Sequence, residues 1–385
     1  MRPMRFASLI CVLLVSLGSL SGCGDSGNAP LAGSGGNTGQ FRERVDEYYH
    51  GVLAAPPANG PAPAPGKSVW IISCGQAVTS CALPSESMEQ AAHQLGWRVT
   101  IFDGKLDPSQ FTAGMRQAIA ADADGIIPVG IDCPLIKAPV EEARRAGIAV
   151  VPQVGMDCND PALKAGPSLF SADPLFYRGY QPLSKFLRAW GAARADWVVA
   201  KTNGEAKVID LALKEIPQAE QIHLGFEKEL GRCDSCGVVA TVSATPADYG
   251  TTLQQKMEQA LLAHPDANAV IVNYNADLEG GVAAAIRSSG RSNDLLVGGG
   301  EGMPSDFQYF NEGLEDMIAY WNQDWASWAT IDALNRVFAD APQVPEGVGW
   351  ILVDRGHNAS SQTADLGLPA MPIDFRAAYR KAWGL

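Results

Sequence analysis

Residues 68–103, SVWIISCGQAVTSCALPSESMEQAAHQLGWRVTIFD, decide how the chain folds. SVWIIS (68–73) and RVTIFD (98–103) are short runs rich in β-branched and aromatic residues. Between them Met88, Ala91, Ala92 and Leu95 recur at i, i+3, i+4 and i+7, and Gly96 closes the pattern. Periods of 2, then 3.6, then 2 again describe strand, amphipathic helix, strand. The unit repeats downstream, with a helix over 109–121 leading into GIIPVG (125–130), a helix over 134–146 into IAVVPQV (148–154), then PSLFSAD (167–173). In the second half AKVIDLA (206–212), QIHLGFE (221–227), VVATVSA (238–244), AVIVNYN (269–275) and LLVGGG (295–300) read as strands, with helices over 176–193, 248–263 and 277–289. Such alternation predicts an α/β fold of doubly wound parallel sheets, covered by helices on both faces and joined by right-handed crossovers. About 320 residues exceed what one such core holds, so two lobes are expected.

Ahead of this body the chain changes character. Arg2 and Arg5 precede an apolar run over 7–20, closed by Leu20-Ser21-Gly22-Cys23. At about 14 residues the run is shorter than the roughly 20 that span a bilayer, so residues 1–22 read as a cleaved secretory signal. Leu20-Ser21-Gly22-Cys23 also resembles the bacterial lipobox, which implies that Cys23 is acylated and holds the protein on the membrane. Residues 23–66 are then lipid anchor and flexible linker: a Gly/Ser-rich spacer, a short helix over 41–54, and the polyproline-like APPANGPAPAPG (55–66). The formal net charge of -13 argues against nucleic acid as a partner.

The order of segments from KSVWIISCGQA, LGWRVTIFDG, DADGIIPVGID and AGIAVVPQVGMD through DANAVIVNYNADLEGG, LLVGGGEGMPS and IAYWNQDWASWATIDALN is similar to that of the type I periplasmic binding proteins of sugar ABC transporters, the ribose-binding-like family. The resemblance covers about residues 67–385. It implies two lobes joined by a three-strand hinge, a ligand trapped in the cleft at the carboxyl ends of the strands, and delivery of that ligand to a membrane permease. The expected N-lobe is 67–172 with 322–350, and the C-lobe is 173–321 with 351–385. Two departures concern the ligand. Glu301 stands in GGGEG where the family usually carries Asp, and Tyr274-Asn275-Ala276-Asp277 stands where sugar binders often present Asn-Asp.

Six of the eight cysteines remain once Cys11 leaves with the signal and Cys23 is acylated. An even number in an oxidising compartment predicts disulfides. Pairing Cys74–Cys81, Cys133–Cys158 and Cys233–Cys236 needs no long-range closure, although six cysteines allow about fifteen connectivities. The alternative for Cys233-Asp-Ser-Cys236, a thioredoxin-like redox pair, lacks the βαβ context of that motif. One CxxC without a second pair, and five scattered histidines, give no metal pattern, so no metal or cofactor is expected. GxSxG, HExxH and the P-loop GxxxxGK[ST] are all missing from the sequence, and the protein reads as a binder rather than an enzyme.

Strand-end positions supply the candidate ligand contacts: Gln76 and Ser80, Asp132, Asp157, Asn275 and Asp277, Glu301 and Asn322, with Tyr274, Trp321 and Trp325 as aromatic platforms. Asp277 equally reads as a helix cap, Trp325 and Trp328 as core, and Trp97 and Trp190 as core. With up to four carboxylates (Asp132, Asp157, Asp277, Glu301) and no Lys or Arg at those ends, the expected ligand is neutral or cationic and sugar-like. Only Arg232 or Arg178 could swing in to favour an anion. The expected protein is a monomer, and a ligand sensor or a binder of an amine or aromatic catabolite is the alternative.

Overall fold

The computed structural model describes residues 38–176, 179–359 and 371–385. The signal, Cys23, the Gly/Ser-rich spacer and Arg178 lie outside them. Among the described residues no helix is long and apolar enough to cross a membrane.

The first sheet has the order β2-β1-β3-β4, formed by β1 (Ser68–Ser73), β2 (Arg98–Asp103), β3 (Gly125–Pro128) and β4 (Ala149–Val150), all parallel. Its helices are α2 (Thr79–Gln94), α3 (Pro108–Ala120) and α4 (Cys133–Arg145). The starts of α3 and α4 have proline in the first turn, and α3 also has a side-chain cap. Asp107 accepts a hydrogen bond from Ser109 N at 2.8 Å with Pro108 in the first turn, and Asp132 stands in extended backbone immediately before α4. The second sheet has the order β10-β9-β8-β7-β5-β6, built from β5 (Lys207–Leu213), β6 (Gly237–Ala244), β7 (Ala269–Ile271), β8 (Leu296–Gly299), β9 (Met317–Tyr320) and β10 (Ile351–Asp354). All its pairings are parallel except β9 with β10.

α5 (Leu183–Lys201) and α6 (Pro217–Leu230) pack together on the second sheet. α7 (Thr251–Ala263) packs against the turn where α8 (Asn275–Asp277) runs through a π-helical segment into α9 (Ala283–Ser289). α10 (Pro304–Glu312) follows β8. α11 (Gln323–Phe338) leaves β9 and packs on α2 of the first lobe. The chain thus passes between the lobes after β4, at 321–322, and after α11, as the family fold implies.

Five expectations are corrected. QIHLGFE (221–227) is not a strand but lies inside α6, whose buried residues Gln218, Ala219, Gln221, Ile222, Gly225, Phe226 and Leu230 follow the helical period. PSLFSAD forms no strand, and IAVVPQV keeps only two residues of one, extended by a single bridge from Val129 to Gln153. Residues 351–385 divide, with β10 in the second sheet and α12 (Phe375–Trp383) against α11, where Trp328 stacks on Trp383 with ring centroids 5.5 Å apart. The segment expected to be a free linker up to residue 66 is docked from residue 39. α1 (Gly39–His50) buries Phe41 and Val45 against α5, and Arg44 reaches Asp196 and Glu229. Val52 then bridges to Trp350, Gly60 N donates to Ala382 O, and Trp97 Nε1 donates to Ala64 O at 2.7 Å. The polar backbone of this proline-rich stretch has hydrogen-bond partners on α11, α12 and the start of β2, which holds it down without a hydrophobic face of its own.

Candidate functional site

A cavity of about 160 Å³ opens between the carboxyl ends of the two sheets. From the first lobe its wall takes Val78, Ser80, the Cys74–Cys81 pair and Gln153–Val154, and from the second Leu187, Ile216, Gln218, Tyr249, Tyr274 and Glu301. Trp321 and Gln323 close the hinge side. Gly130 belongs to the same wall. Its φ of +64° is one that an L side chain rarely adopts, and a Cβ there would stand 3.2 Å from Cys74 Sγ.

The structure forms all three expected disulfides, with Cα separations of 5.5 Å for Cys74–Cys81, 5.1 Å for Cys133–Cys158 and 5.3 Å for Cys233–Cys236. The first ties the end of β1 to the start of α2 and so shapes the cavity wall.

Of the candidate contacts, Ser80, Tyr274, Glu301 and Trp321 line the cavity. The other six stand elsewhere, each for a local reason. Gln76 is exposed, with its amide on Ser73 Oγ at 2.7 Å. Asp157 is buried under its own loop and accepts from Cys158 N, Leu169 N and Phe170 N. Asp277 takes the cap reading, accepting from Asn273 N, Tyr274 N and the Tyr249 hydroxyl. Asn322 caps α11 through Trp325 N and donates to the Tyr320 hydroxyl. Asn275 Nδ2 donates to Ser305 Oγ at 3.1 Å. Asp132 lies beneath the cleft, where it accepts from Met156 N at 2.8 Å and from Gln218 Nε2 at 3.0 Å. Trp325 and Trp328 are core, stacked or edge-on against Phe375, and Trp97 and Trp190 are buried as read.

Gln218 is the residue that sequence reading missed. It sits in the first turn of α6 on the second lobe, and its amide donates to Asp132 and to Val154 O, both on the first. These bonds latch the lobes across the cleft, and Leu83 and Met303 make a separate apolar contact between the lobes. Reading 221–227 as a strand hid it, although Pro217 marks a helix start there.

Glu301 is held in the GGGEG turn between Gly300 and Gly302, at φ +55° and +90°, where a Cβ on Gly302 would enter the Tyr320 ring. Trp321 N donates to Glu301 O at 3.0 Å, so the two cavity residues are neighbours across adjacent strands. Glu301 Oε1 and Trp321 Nε1 have no protein partner. Burial, reinforced by Asp306, pushes the Glu301 carboxyl well above the usual carboxylate range, and Arg194 opposes this. Burial raises Asp306 and Asp132 to about 7 each and Asp277 to about 6, against the N–H groups they accept from. Arg194, fully buried behind the site, is lowered to about 10 by burial and donates to the carbonyls of Trp190, Asn273 and Gly300. A carboxyl at the end of a β-strand, two facing lobes and a hinge between them form a site built to enclose a small molecule.

Residues 81–341 match the periplasmic binding protein domain, and the chain belongs to that family. Its solved structural neighbours are solute-binding proteins. A galactofuranose binding protein is 17% identical over 75% of this chain and 95% of its own, with a TM-score of 0.62. An ABC transporter solute binding protein from Bacillus halodurans, with bound myo-inositol, is 16% identical over 76% and 96%, with a TM-score of 0.62. The 5-methylthioribose transporter solute binding protein from Thermotoga lettingae is 16% identical over 85% and 100%, with a TM-score of 0.64. At these identities the likeness is one of fold: two α/β lobes of the type I arrangement. No curated protein sequence matches the chain.

Proposed function

We propose that the protein is an extracytoplasmic lipoprotein, held on the cell membrane through Cys23, that captures a small neutral or cationic ligand of sugar-like size and hands it to an ABC permease. The observation that carries this reading is the cavity between the lobes, with the unpartnered carboxyl of Glu301 in its wall and no Lys or Arg among its lining residues. An anion enclosed there would lose its water and find no lining Lys or Arg to pair with. Capture follows from differential affinity. A ligand that touches both lobes favours the closed arrangement, which Gln218 latches and which a permease can read. The galactofuranose, myo-inositol and 5-methylthioribose bound by the neighbours support a ring-sized ligand.

Thermal unfolding of the purified protein against monosaccharides, polyols, amino acids and aromatic acids tests the reading. A ligand at about 100 times its Kd adds about 2.7 kcal/mol of stability. Stabilisation by a simple carboxylate or phosphate, with every neutral and cationic compound silent, contradicts it. The anchor is tested separately, since Cys23→Ser should move the protein from the membrane fraction to the soluble one.

A further inference from the structure

The segment ahead of β1 is pinned to both lobes and to the hinge between them. At one end α1 lies on the second lobe, where Phe41 and Val45 are buried against α5, Arg44 pairs with Asp196 and with Glu229, and the Tyr48 hydroxyl donates to Asp196 at 3.1 Å. At the other end residues 59–64 lie on α11 of the first lobe. Arg336 Nη2 donates to Asn59 O at 2.9 Å, Asn335 Nδ2 to Pro61 O at 3.0 Å, and Ala64 N to Asn335 Oδ1 at 3.2 Å. In the middle Val52 and Ala54 run antiparallel to the crossover that follows α11. Val52 N donates to Trp350 O at 2.8 Å, Trp350 N to Val52 O at 3.3 Å and Ala54 N to Gly347 O at 2.9 Å. A Cβ on Gly349 would stand 1.6 Å from Val52 O and one on Gly347 2.1 Å from Ala54 O, so two glycines let the backbones approach. The same crossover pairs with the first one, Gly347 N donating to Phe176 O at 2.9 Å.

We infer that residues 39–66 form a fourth connection between the lobes, a strap that limits how far the cleft opens. The inference rests on the hinge closure of the capture reading and adds to it a part of the chain outside the three crossovers. The link between the pins is short and stiff. Only Ala55-Pro56-Pro57-Ala58 separates the hinge contact of Ala54 from Asn59 on the first lobe, and Pro56 is buried. Two prolines hold such a link extended at about 3.1 Å per residue and leave it little slack. Pins on both lobes with no slack between them resist movement of the lobes away from the closed arrangement, in which all the pins are made.

Small-angle scattering of the ligand-free exported chain, kept soluble by Cys23→Ser, tests this. Inserting about six Gly/Ser residues between Pro57 and Ala58 leaves every pin in place and gives the strap slack. Phe41→Ala together with Arg44→Ala instead frees its second-lobe end. Each change should raise the radius of gyration by an amount comparable to that of Gln218→Ala. Combined, they should raise it no further than either alone, because a strap released once restrains nothing. The same insertion between Ser34 and Gly35, ahead of all the pins, corrects for the added length. An insertion at 57–58 that moves the radius no more than the one at 34–35 overturns the strap, and so do effects that add in the combined variant. If Gln218→Ala still opens the cleft in that case, capture stands. If no variant changes the radius, hinge closure falls with the strap.

Discussion

The two lobes differ in whether every buried acid near the cleft has a hydrogen-bond partner. In the first lobe every predicted carboxylate has partners, Asp157 three backbone N–H groups of its own lobe and Asp132 both Met156 N of its own lobe and Gln218 of the other. That lobe also carries the Cys74–Cys81 and Cys133–Cys158 disulfides around the same loops. In the second lobe a buried group of Glu301, Asp306 and Glu315 surrounds Arg194 with acceptor atoms left over: Glu301 Oε1, Asp306 Oδ1 and both oxygens of Glu315. One wall of the cleft is therefore a braced frame and the other holds unmet hydrogen-bonding capacity. Within the second lobe Asp306 and Asp277 are tied to backbone N–H groups as Asp157 is, so the acids that differ are Glu301 and Glu315, and under the proposed function recognition falls to Glu301.

The sharpest way to break this contrast is to remove an acid from each side. Asp157→Ala strands three buried N–H groups and should cost roughly 3 kcal/mol or more. Glu315→Gln removes an acid with no partner and should change stability by less than about 0.5 kcal/mol or improve it. Denaturant titration of both variants reads the difference, and equal losses would erase the contrast. Next in size is the brace itself. Replacing Cys133 and Cys158 together by Ser should cost about 2–4 kcal/mol, the range for opening a loop of this kind, measured as a fall in the denaturation midpoint.

A pH scan sharpens the comparison from the other side. Glu301 and Glu315 are pushed up by burial, Asp306 and Asp132 to about 7 and Asp277 to about 6. These carboxyls hold their protons more tightly folded than unfolded. The stability they contribute is complete below the unfolded value of about 4 and is lost as the pH rises through about 6 to 7. Melting at pH 5 should exceed melting at pH 8 by an amount corresponding to about 2 kcal/mol, and Glu315→Gln should flatten the slope. A protein more stable at pH 8 would place these acids in solvent.

The lobes were legible in the sequence because their strands and helices differ in period. The β1–α2–β2 unit, with 68–73, 79–94 and 98–103, falls where the spacing puts it. The failures have physical causes. Ile222, Leu224 and Phe226 alternate like a strand, but the buried set of α6 follows the helical period through Gln218, Ile222 and Phe226, with Leu224 left partly exposed. The proline-rich 55–66 reads as a spacer by composition, and what docks it is backbone hydrogen bonding to Asn335, Ala382 and Trp97, which composition does not encode. At the site, Ser80, Tyr274, Glu301 and Trp321 were found because strand ends face the cleft. Asp157, Asp277 and Asn322 stand at strand ends too, but backbone N–H groups of loops and helix starts claim them first. Gln218 could be recognised only once α6 was known to be a helix.

Small-angle scattering tests the central claim, that the two lobes close on a ligand and that Gln218 latches them. The radius of gyration of the wild type should fall on addition of 5-methylthioribose to the value of the closed form described here. Gln218→Ala should start more open and need more of the compound to reach the same value, in keeping with a loss of about 1 kcal/mol of closure energy. A radius that stays constant while calorimetry records binding would contradict capture by hinge closure.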